Sequence, residues 1–174
     1  MNQNPDIFIY KIPNFITYKK EIIDLIYNTK SMNILSRDEK ISLSDYKYSK
    51  DKNRNYCNYL SKNILTNFMK DFCNKLNLKQ CHISDIWFQI YKKGDTHSLH
   101  THPGCNFTNI IYLSLPNKNI QTKLYTLFKK EIPLTISEGD ILTFPGYLPH
   151  NSPINFFKEE KIIISFNSNI EIKN

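Results

Sequence analysis

Residues 86–115, IWFQIYKKGDTHSLHTHPGCNFTNIIYLSL, decide the fold class of this chain. The stretch begins and ends with runs of β-branched and aromatic residues, 86–91 and 109–115, which are typical of buried strands. The turn residues Gly94-Asp95 and Pro103-Gly104 stand between the runs. Because no helical pattern separates them, the two runs predict strands of an all-β half.

The same texture continues toward the C-terminus. Further β-prone runs, each bounded by turn residues, are 123–128, 132–136, 140–144 and 161–166. Short strands with frequent turns and no helices between them are typical of a sandwich or barrel. We therefore expect residues 83–170 to form a β core.

The first 82 residues have a different pattern. Residues 7–10 are β-prone and predict an edge strand, since Pro13 follows closely. Residues 18–29 and 59–76 carry apolar residues at spacings of three and four, so each predicts an amphipathic helix. Thr17 is the candidate N-cap of the first helix.

Residues 31–55 are polar and charged and predict a long loop with at most one short element, of the kind that often lies beside a site. The whole chain of 174 residues has 40% hydrophobic residues, enough for one core. We therefore expect one α+β, mainly β domain spanning residues 1–174, with residues 1–82 as helical support and loop.

The charge balance argues against nucleic acid as a partner. The net charge is +7, from 23 Lys+Arg and 16 Asp+Glu, but Arg37 and Arg54 are the only arginines. Phosphate and base recognition favours the arginine fork, so we do not expect nucleic-acid binding. The basic excess still allows attraction to anionic small molecules.

Cysteine usage predicts a reducing compartment. Cys57, Cys73, Cys81 and Cys105 form no C-x-x-C pair and have no zinc-finger spacing. The N-terminus has no basic region followed by an apolar run, and no apolar stretch is long enough to span a membrane. We expect a cytoplasmic protein with free thiols, whose oligomeric state the sequence leaves open.

Three of the five histidines lie in residues 96–102, THSLHTH. If this segment is extended, alternate residues share one face, so His100 and His102 point into one cavity. Two imidazoles at i and i+2 suit a divalent metal. His97 is out of phase with them in a regular strand, and we expect it on a turn.

His150 follows the run Phe144–Pro149, FPGYLP. A histidine just after a strand and a proline turn can reach into the mouth of a barrel. His82 has no such context, and we interpret His82 and His97 as structural or surface residues.

Six segments follow one another in a characteristic order: WFQIYKKGD (87–95), HTHP (100–103), IIYL (110–113), EGDILTFP (138–145), His150 and EKIIISFN (160–167). This ordered set resembles the Fe(II)/2-oxoglutarate-dependent oxygenase superfamily, in particular its small prolyl hydroxylase-like members from bacteria and phages. The resemblance covers about half of the chain.

The resemblance implies a double-stranded β-helix, or jelly roll, with iron in its open end. His100, His102 and His150 would then be the metal ligands and catalytic residues. His102 stands where most relatives have Asp or Glu, which is a departure from the common pattern. We expect His102 to ligate, since imidazole suits iron. The alternative is that His102 stays off the metal and that water or a halide takes its place.

The resemblance also implies a subsite for 2-oxoglutarate. Lys161 stands where the family often has Arg to bind the distal carboxylate, and Tyr91 and Tyr112 are candidate hydroxyl donors to the same group. Asn109 and Ser165 are further candidates for lining this pocket. Lys161 has a competing interpretation as a solvated strand residue.

The activity implied is hydroxylation of an unidentified substrate, with 2-oxoglutarate and O2 converted to succinate and CO2. Fe(II) and 2-oxoglutarate are the implied cofactors, with ascorbate as an optional reductant. By analogy the substrate would be a peptide or protein. Two alternatives remain open: a cupin-like three-histidine dioxygenase that uses no 2-oxo acid, and a non-catalytic barrel that serves as a binding module.

Overall fold

The computed structural model describes residues 6–173, and its strands form two antiparallel sheets. Three α-helices precede most of the strands: α1 (Phe15–Tyr27), α2 (Asn55–Leu60) and α3 (Thr66–Lys75). The strands are β1 (Phe8–Lys11), β2 (Met32–Leu35), β3 (Lys40–Ser44), β4 (Leu78–Tyr91), β5 (His97–His100), β6 (Phe107–Ser114), β7 (Lys123–Tyr125), β8 (Glu131–Ile132), β9 (Asp140–Pro145), β10 (His150–Ser152) and β11 (Lys161–Ile172).

The larger sheet has the strand order β1-β9-β6-β11-β4-β3-β2, and the smaller one has the order β5-β10-β7-β8. The pair β4–β11 is the longest, with partners from Tyr91 opposite Lys161 to Leu78 opposite Ile172. Strand β11 lies at the centre of this sheet, between β6 and β4, and side chains from one of its faces reach the site.

Strand β11 is buried on both faces, and its alternation separates two cores. Ile162, Ile164 and Phe166 pack in the cluster that includes the helices. Lys161 and Ile163 point to the opposite face, where Ile163 belongs to a second cluster shared by residues of both sheets. Because side chains alternate along a strand, this inner face also receives Ser165.

The helices cover the outer face of the larger sheet. Ile22 and Ile26 of α1 are buried there, as are Phe68 and Phe72 of α3. Helices α2 and α3 are joined by a π-helical segment, Ser61–Leu65, so they form one continuous run. This layer supports the sheet from behind and contributes no residue to the site described below.

Several predicted elements are confirmed and others need correction. The edge strand is present as β1, which among the described strands pairs with β9 alone, at the end of the sheet. The first helix begins at Phe15, so the prediction of Thr17 as N-cap is wrong. The Thr17 hydroxyl lies in the first turn and donates to the main-chain oxygen of Asn14 at 2.8 Å.

The expectation of a long loop with at most one short element over residues 31–55 is also wrong, since the segment holds three short elements. The segment contains the antiparallel pair β2–β3 and a 3-10 turn, Tyr46–Tyr48. Both strands are short and β2 is mostly exposed, so the apolar signal is weak. The hairpin continues the larger sheet beside β4 and approaches the histidine segment through paired Lys40 and Thr96.

The α+β, mainly β jelly-roll prediction is confirmed by the two antiparallel sheets. The assignment of the whole chain to one domain stays a prediction. All four cysteines are free. Within residues 6–173, every helix is too short or too polar to cross a membrane.

Candidate functional site

Three histidines converge at one end of the antiparallel pair β5–β10 in the smaller sheet. His100 ends β5 and His150 begins β10, and the two are directly opposite in the antiparallel pair. His102 follows two residues after β5. One ring nitrogen from each of the three lies within 4.8 Å of the others. This spacing suits three ligands of a single ion.

The hydrogen bonds of His100 and His150 fix which ring nitrogen carries the proton. Nδ1 of His100 lies 2.7 Å from the main-chain oxygen of Ser98, and Nδ1 of His150 lies 3.0 Å from that of Leu148. A carbonyl oxygen can only accept, so Nδ1 carries the hydrogen in both rings. The lone pair is therefore on Nε2, the nitrogen that remains free for a metal.

His102 is held differently. Its Nδ1 lies 2.8 Å from Oδ1 of Asn167 on β11 and 3.0 Å from Oγ1 of Thr108 on β6. The ring centroid is 5.7 Å from that of Trp87. Nδ1 of His102 therefore meets side chains from two distant strands in place of a nearby main-chain carbonyl.

Burial keeps these imidazoles neutral. Desolvation lowers the pKa of His150 to about 2, and it also lowers the pKa values of His100 and His102. A neutral imidazole presents its lone pair without competition from a proton near neutral pH. Three neutral imidazoles are a donor set that suits iron, zinc, copper or nickel.

A fourth histidine lines the same cavity. His97 stacks on His100 with ring centroids 4.0 Å apart, although a regular strand would put the two on opposite faces. A β-bulge explains the contact, because His97 and His100 are three residues apart while their partners Ser152 and His150 are two apart. The expectation that His97 lies on a turn is wrong, since it begins β5. His82 lies exposed on β4 and away from the cavity.

The cavity lies between the two sheets and extends inward from the histidines. Its empty space is about 310 Å³, including its opening to solvent. Besides the four histidines, it is lined by Trp87, Gln89, Tyr91, Thr108, Ile110, Thr122, Asn151, Ser152, Ile163 and Ser165.

Lys161 is fully buried beside this cavity. Its Nζ donates to Oγ of Ser152 at 2.8 Å and lies 5.1 Å from the centroid of the Tyr91 ring. No carboxylate lies within 4 Å of this ammonium in the part of the chain that the structure describes. Desolvation accordingly lowers the pKa of Lys161 to about 7. The interpretation of Lys161 as a solvated strand residue is wrong.

The remaining predicted pocket residues divide into two groups. Tyr91 and Ser165 line the cavity, and the Tyr112 hydroxyl accepts from the backbone N–H of the lining residue Thr122 at 3.2 Å. Asn109 is fully buried on the other face of β6. Its amide there donates to the main-chain oxygen of Phe166, so the structure does not bring it to the cavity.

Sequence reasoning missed several polar residues of the site, chiefly Gln89, Thr108, Ser152 and Asn167. The period of two offered a signal for three of them, because Gln89, Thr108 and Asn167 fall on the same strand faces as Tyr91, Tyr112 and Lys161 respectively. Ser152 carries no comparable signal, because its contact with Lys161 depends on how separate strands pack.

No protein-family model matches this sequence, and no curated protein matches it. Solved structures do match it. An oxidoreductase of the 2OG-Fe(II) oxygenase family from Burkholderia pseudomallei superposes with a TM-score of 0.75 at 10% identity, covering 98% of this chain and 90% of that chain.

Two prolyl hydroxylases are also similar. One, from Trichoplax adhaerens, was solved with a peptide fragment of the hypoxia inducible factor oxygen degradation domain. It matches with a TM-score of 0.70 at 15% identity, covering 95% of this chain and 84% of that chain. The viral collagen prolyl hydroxylase of Paramecium Bursaria Chlorella virus-1, solved as a 2OG complex, has a TM-score of 0.66 at 14% identity, covering 97% of this chain and 98% of that chain.

This chain has the fold of the 2OG-Fe(II) oxygenases. At these identities the likeness establishes the fold, and it confirms at that level the resemblance seen in the sequence motifs. The chemistry must be argued from the side chains.

Proposed function

We propose that this chain is an Fe(II)- and 2-oxoglutarate-dependent oxygenase that hydroxylates its substrate and releases succinate and CO2. The observation that carries the proposal is that one cavity brings together a three-histidine cluster and a buried lysine. Three imidazole nitrogens converge within 4.8 Å of one another, and the buried ammonium of Lys161, which has no carboxylate within 4 Å among residues 6–173, lies beside the same cavity.

His100, His102 and His150 are the proposed iron ligands, each through Nε2. The donor set fits, because neutral imidazole binds iron and the main-chain carbonyls at Nδ1 of His100 and His150 leave Nε2 of both rings unprotonated. Iron(II), when bound, would supply the redox chemistry that couples 2-oxoglutarate decarboxylation to substrate hydroxylation.

The three-histidine set has a consequence for charge. The usual carboxylate ligand would cancel one charge of the cation, whereas His102 cancels none. The metal centre would therefore keep its full double charge, which favours binding of the 2-oxoglutarate dianion. This attraction acts in a partly buried site, where screening by solvent is weak.

Lys161 is the proposed partner of the distal carboxylate. Its Nζ has one bond to Ser152, and an ammonium has three donors, so two are available to a ligand. Tyr91 and Ser152 line the cavity next to it and offer hydroxyl groups to the same carboxylate. A carboxylate here would satisfy an ammonium that burial otherwise disfavours.

The substrate is proposed to be a peptide or protein, since the Trichoplax adhaerens neighbour was solved with a peptide. Ascorbate is proposed as an auxiliary reductant, and the cytoplasm as the location. A second candidate is a cupin-like dioxygenase that uses no 2-oxo acid, which the all-histidine donor set favours. Lys161 separates the two candidates, because only the 2-oxoglutarate enzyme needs its charge.

The test is binding of 2-oxoglutarate to the iron(II)-loaded protein by anaerobic calorimetry. Lys161→Met removes the charge but keeps much of the side-chain volume, and Lys158→Ala is a control at an exposed lysine. The proposal predicts that Lys161→Met weakens binding at least about tenfold, given that a charged hydrogen bond contributes roughly 1.5–3 kcal/mol. A wild type that binds iron(II) but no 2-oxoglutarate would favour the cupin-like candidate, whereas equal binding by both variants would remove Lys161 from the 2-oxoglutarate subsite.

A further inference from the structure

His102 differs from the other two proposed ligands in how its ring is held. His100 and His150 each bond through Nδ1 to the main-chain oxygen two residues earlier, at Ser98 and Leu148. The local backbone conformation is enough to provide such a contact, because the two residues are only two positions apart. Among the described residues, Nδ1 of His102 has no main-chain acceptor, and it instead meets the side chains of Thr108 and of Asn167, 65 residues away.

The difference falls on the ligand that departs from the family pattern. A carboxylate has two equivalent oxygens and can ligate through either. An imidazole has one lone pair, and the wrong tautomer would place N–H toward the cation. A histidine at this position therefore needs a proton acceptor at Nδ1, and the local backbone does not supply it.

The surroundings of Asn167 orient its amide. Asn167 on β11 and Thr108 on β6 are cross-strand partners. The Thr108 hydroxyl donates to Oδ1 of Asn167 at 3.5 Å, and Nδ1 of His102 lies 2.8 Å from the same oxygen. A Thr108 hydroxyl that donates to Oδ1 turns a lone pair toward Nδ1 of His102, which lies 3.0 Å from its Oγ1, so both groups that face Nδ1 can accept its proton.

The opposite orientation would have a clear cost. With the NH2 group facing His102, the amide would donate to Nδ1 and force the proton onto Nε2. The lone pair would then point away from His100 and His150, and His102 could not ligate.

We propose that Asn167 is a positioning residue: its Oδ1, oriented by Thr108, holds His102 in the Nδ1–H tautomer and so makes this histidine a metal ligand. The inference rests on the proposed function. It adds the residue that fixes the tautomer when histidine replaces the usual carboxylate ligand. Asn167 touches neither metal nor substrate and acts through His102.

The tautomer can be measured without any metal. Long-range 1H–15N NMR of the metal-free protein at about pH 8, where the buried imidazoles are neutral, reports which nitrogen of His102 is protonated. The proposal predicts Nδ1–H in the wild type and in Asn167→Asp, whose carboxylate can only accept. Asn167→Leu should lose this preference.

The matched control is Asn169→Ala. Asn169 lies on the same strand, and its side chain accepts from the backbone of Asn106, not from a histidine. A merely structural role for Asn167 would make both variants alike, with folding weakened and the His102 tautomer unchanged.

Metal affinity gives the second readout, by calorimetry with cobalt(II). Outer partners of a ligating histidine typically contribute 10–100-fold, so Asn167→Leu should lose about that factor and Asn167→Asp should stay close to the wild type. An unchanged tautomer and affinity in Asn167→Leu would overturn the inference. Loss of the Nδ1–H tautomer in Asn167→Asp would also overturn it, and this second variant gives a decision even if the leucine variant does not fold.

Different results would refute the proposed function and the role of Asn167. A wild type that binds no metal would refute the proposed function, while the NMR result would still decide how Asn167 acts on His102. A wild type that binds metal with an Asn167→Leu variant equal to it would leave the function standing and remove Asn167 from it.

Discussion

The imidazole of His97 stacks on that of His100 at 4.0 Å, yet its nitrogens are directed elsewhere. Nε2 of His97 lies 3.3 Å from a carboxylate oxygen of Glu39, and Nδ1 lies 3.4 Å from the amide nitrogen of Gln89. These contacts assign the proton to Nε2 and the lone pair to Nδ1, where the Gln89 amide donates. His97 is thus a wall of the cavity and lies outside the three-histidine group.

Replacing His97 should therefore affect metal binding less than replacing a ligand does. We expect His97→Ala to keep cobalt(II) affinity within the roughly 10–100-fold range of an outer residue. His150→Ala should bind far more weakly than that. Calorimetry on both variants checks the order, and a His97→Ala loss as large as that of His150→Ala would show that His97 also ligates.

Exchanging His102 for aspartate should uncouple Asn167 from the metal. A carboxylate needs no tautomer control, so in a His102→Asp background Asn167→Leu should change cobalt(II) affinity little, although it weakens binding in the wild type. A double-mutant cycle measures this coupling. Equal losses in both backgrounds would show that Asn167 acts through folding alone.

Binding of 2-oxoglutarate should take up a proton above neutral pH. The pKa of Lys161 is lowered to about 7 by burial, so at pH 8 roughly nine-tenths of the free enzyme holds this amine neutral. A bound carboxylate requires the ammonium, so uptake should approach one proton at pH 8 and fall to about a tenth at pH 6.

The proton uptake is read from calorimetry in buffers of different ionisation enthalpy. The control is Lys161→Arg, whose guanidinium stays charged and should show almost no uptake from this position. Identical uptake in wild type and Lys161→Arg would place the titrating group elsewhere.

The same buried amine predicts how stability depends on pH. Its pKa is about 7 in the folded state and near 10.5 in the unfolded chain, so between these values the unfolded state binds more protons. The contribution of Lys161 should thus be unfavourable and constant below pH 7 and should become less unfavourable as pH rises toward 10.5.

Denaturant unfolding of the wild type and Lys161→Met across pH 6 to 10 checks this. The difference in unfolding free energy should shift in favour of the wild type by at most about 1.4 kcal/mol per pH unit above pH 7. A difference that does not change with pH would mean that Lys161 stays charged in the folded protein.

Sequence patterns predicted the parts of this protein that depend on local periodicity. Apolar runs indicated the main strands, and the i and i+2 spacing indicated that His100 and His102 share a cavity. The position of His97 was predicted wrongly because the bulge in β5 adds one residue between His97 and His100, which changes the face on which His97 lies. The residue types in the bulge do not indicate it in the sequence.

Contacts between distant strands were beyond the reach of the sequence. The bond of Lys161 to Ser152 and that of His102 to Asn167 depend on registers that only the assembled sheets determine. Asn109 shows the converse: its strand was predicted, but whether it faces the cavity or the helices depends on a register that a one-residue shift reverses.

The most direct test of the account is an anaerobic titration of the iron(II)-loaded protein with 2-oxoglutarate, followed by visible absorption. We predict one tightly bound iron(II) per chain and a charge-transfer band that appears as 2-oxoglutarate chelates it, absent in His150→Ala and requiring more 2-oxoglutarate in Lys161→Met. A wild-type protein that binds no iron(II), or that binds it and develops no band at saturating 2-oxoglutarate, would contradict the account.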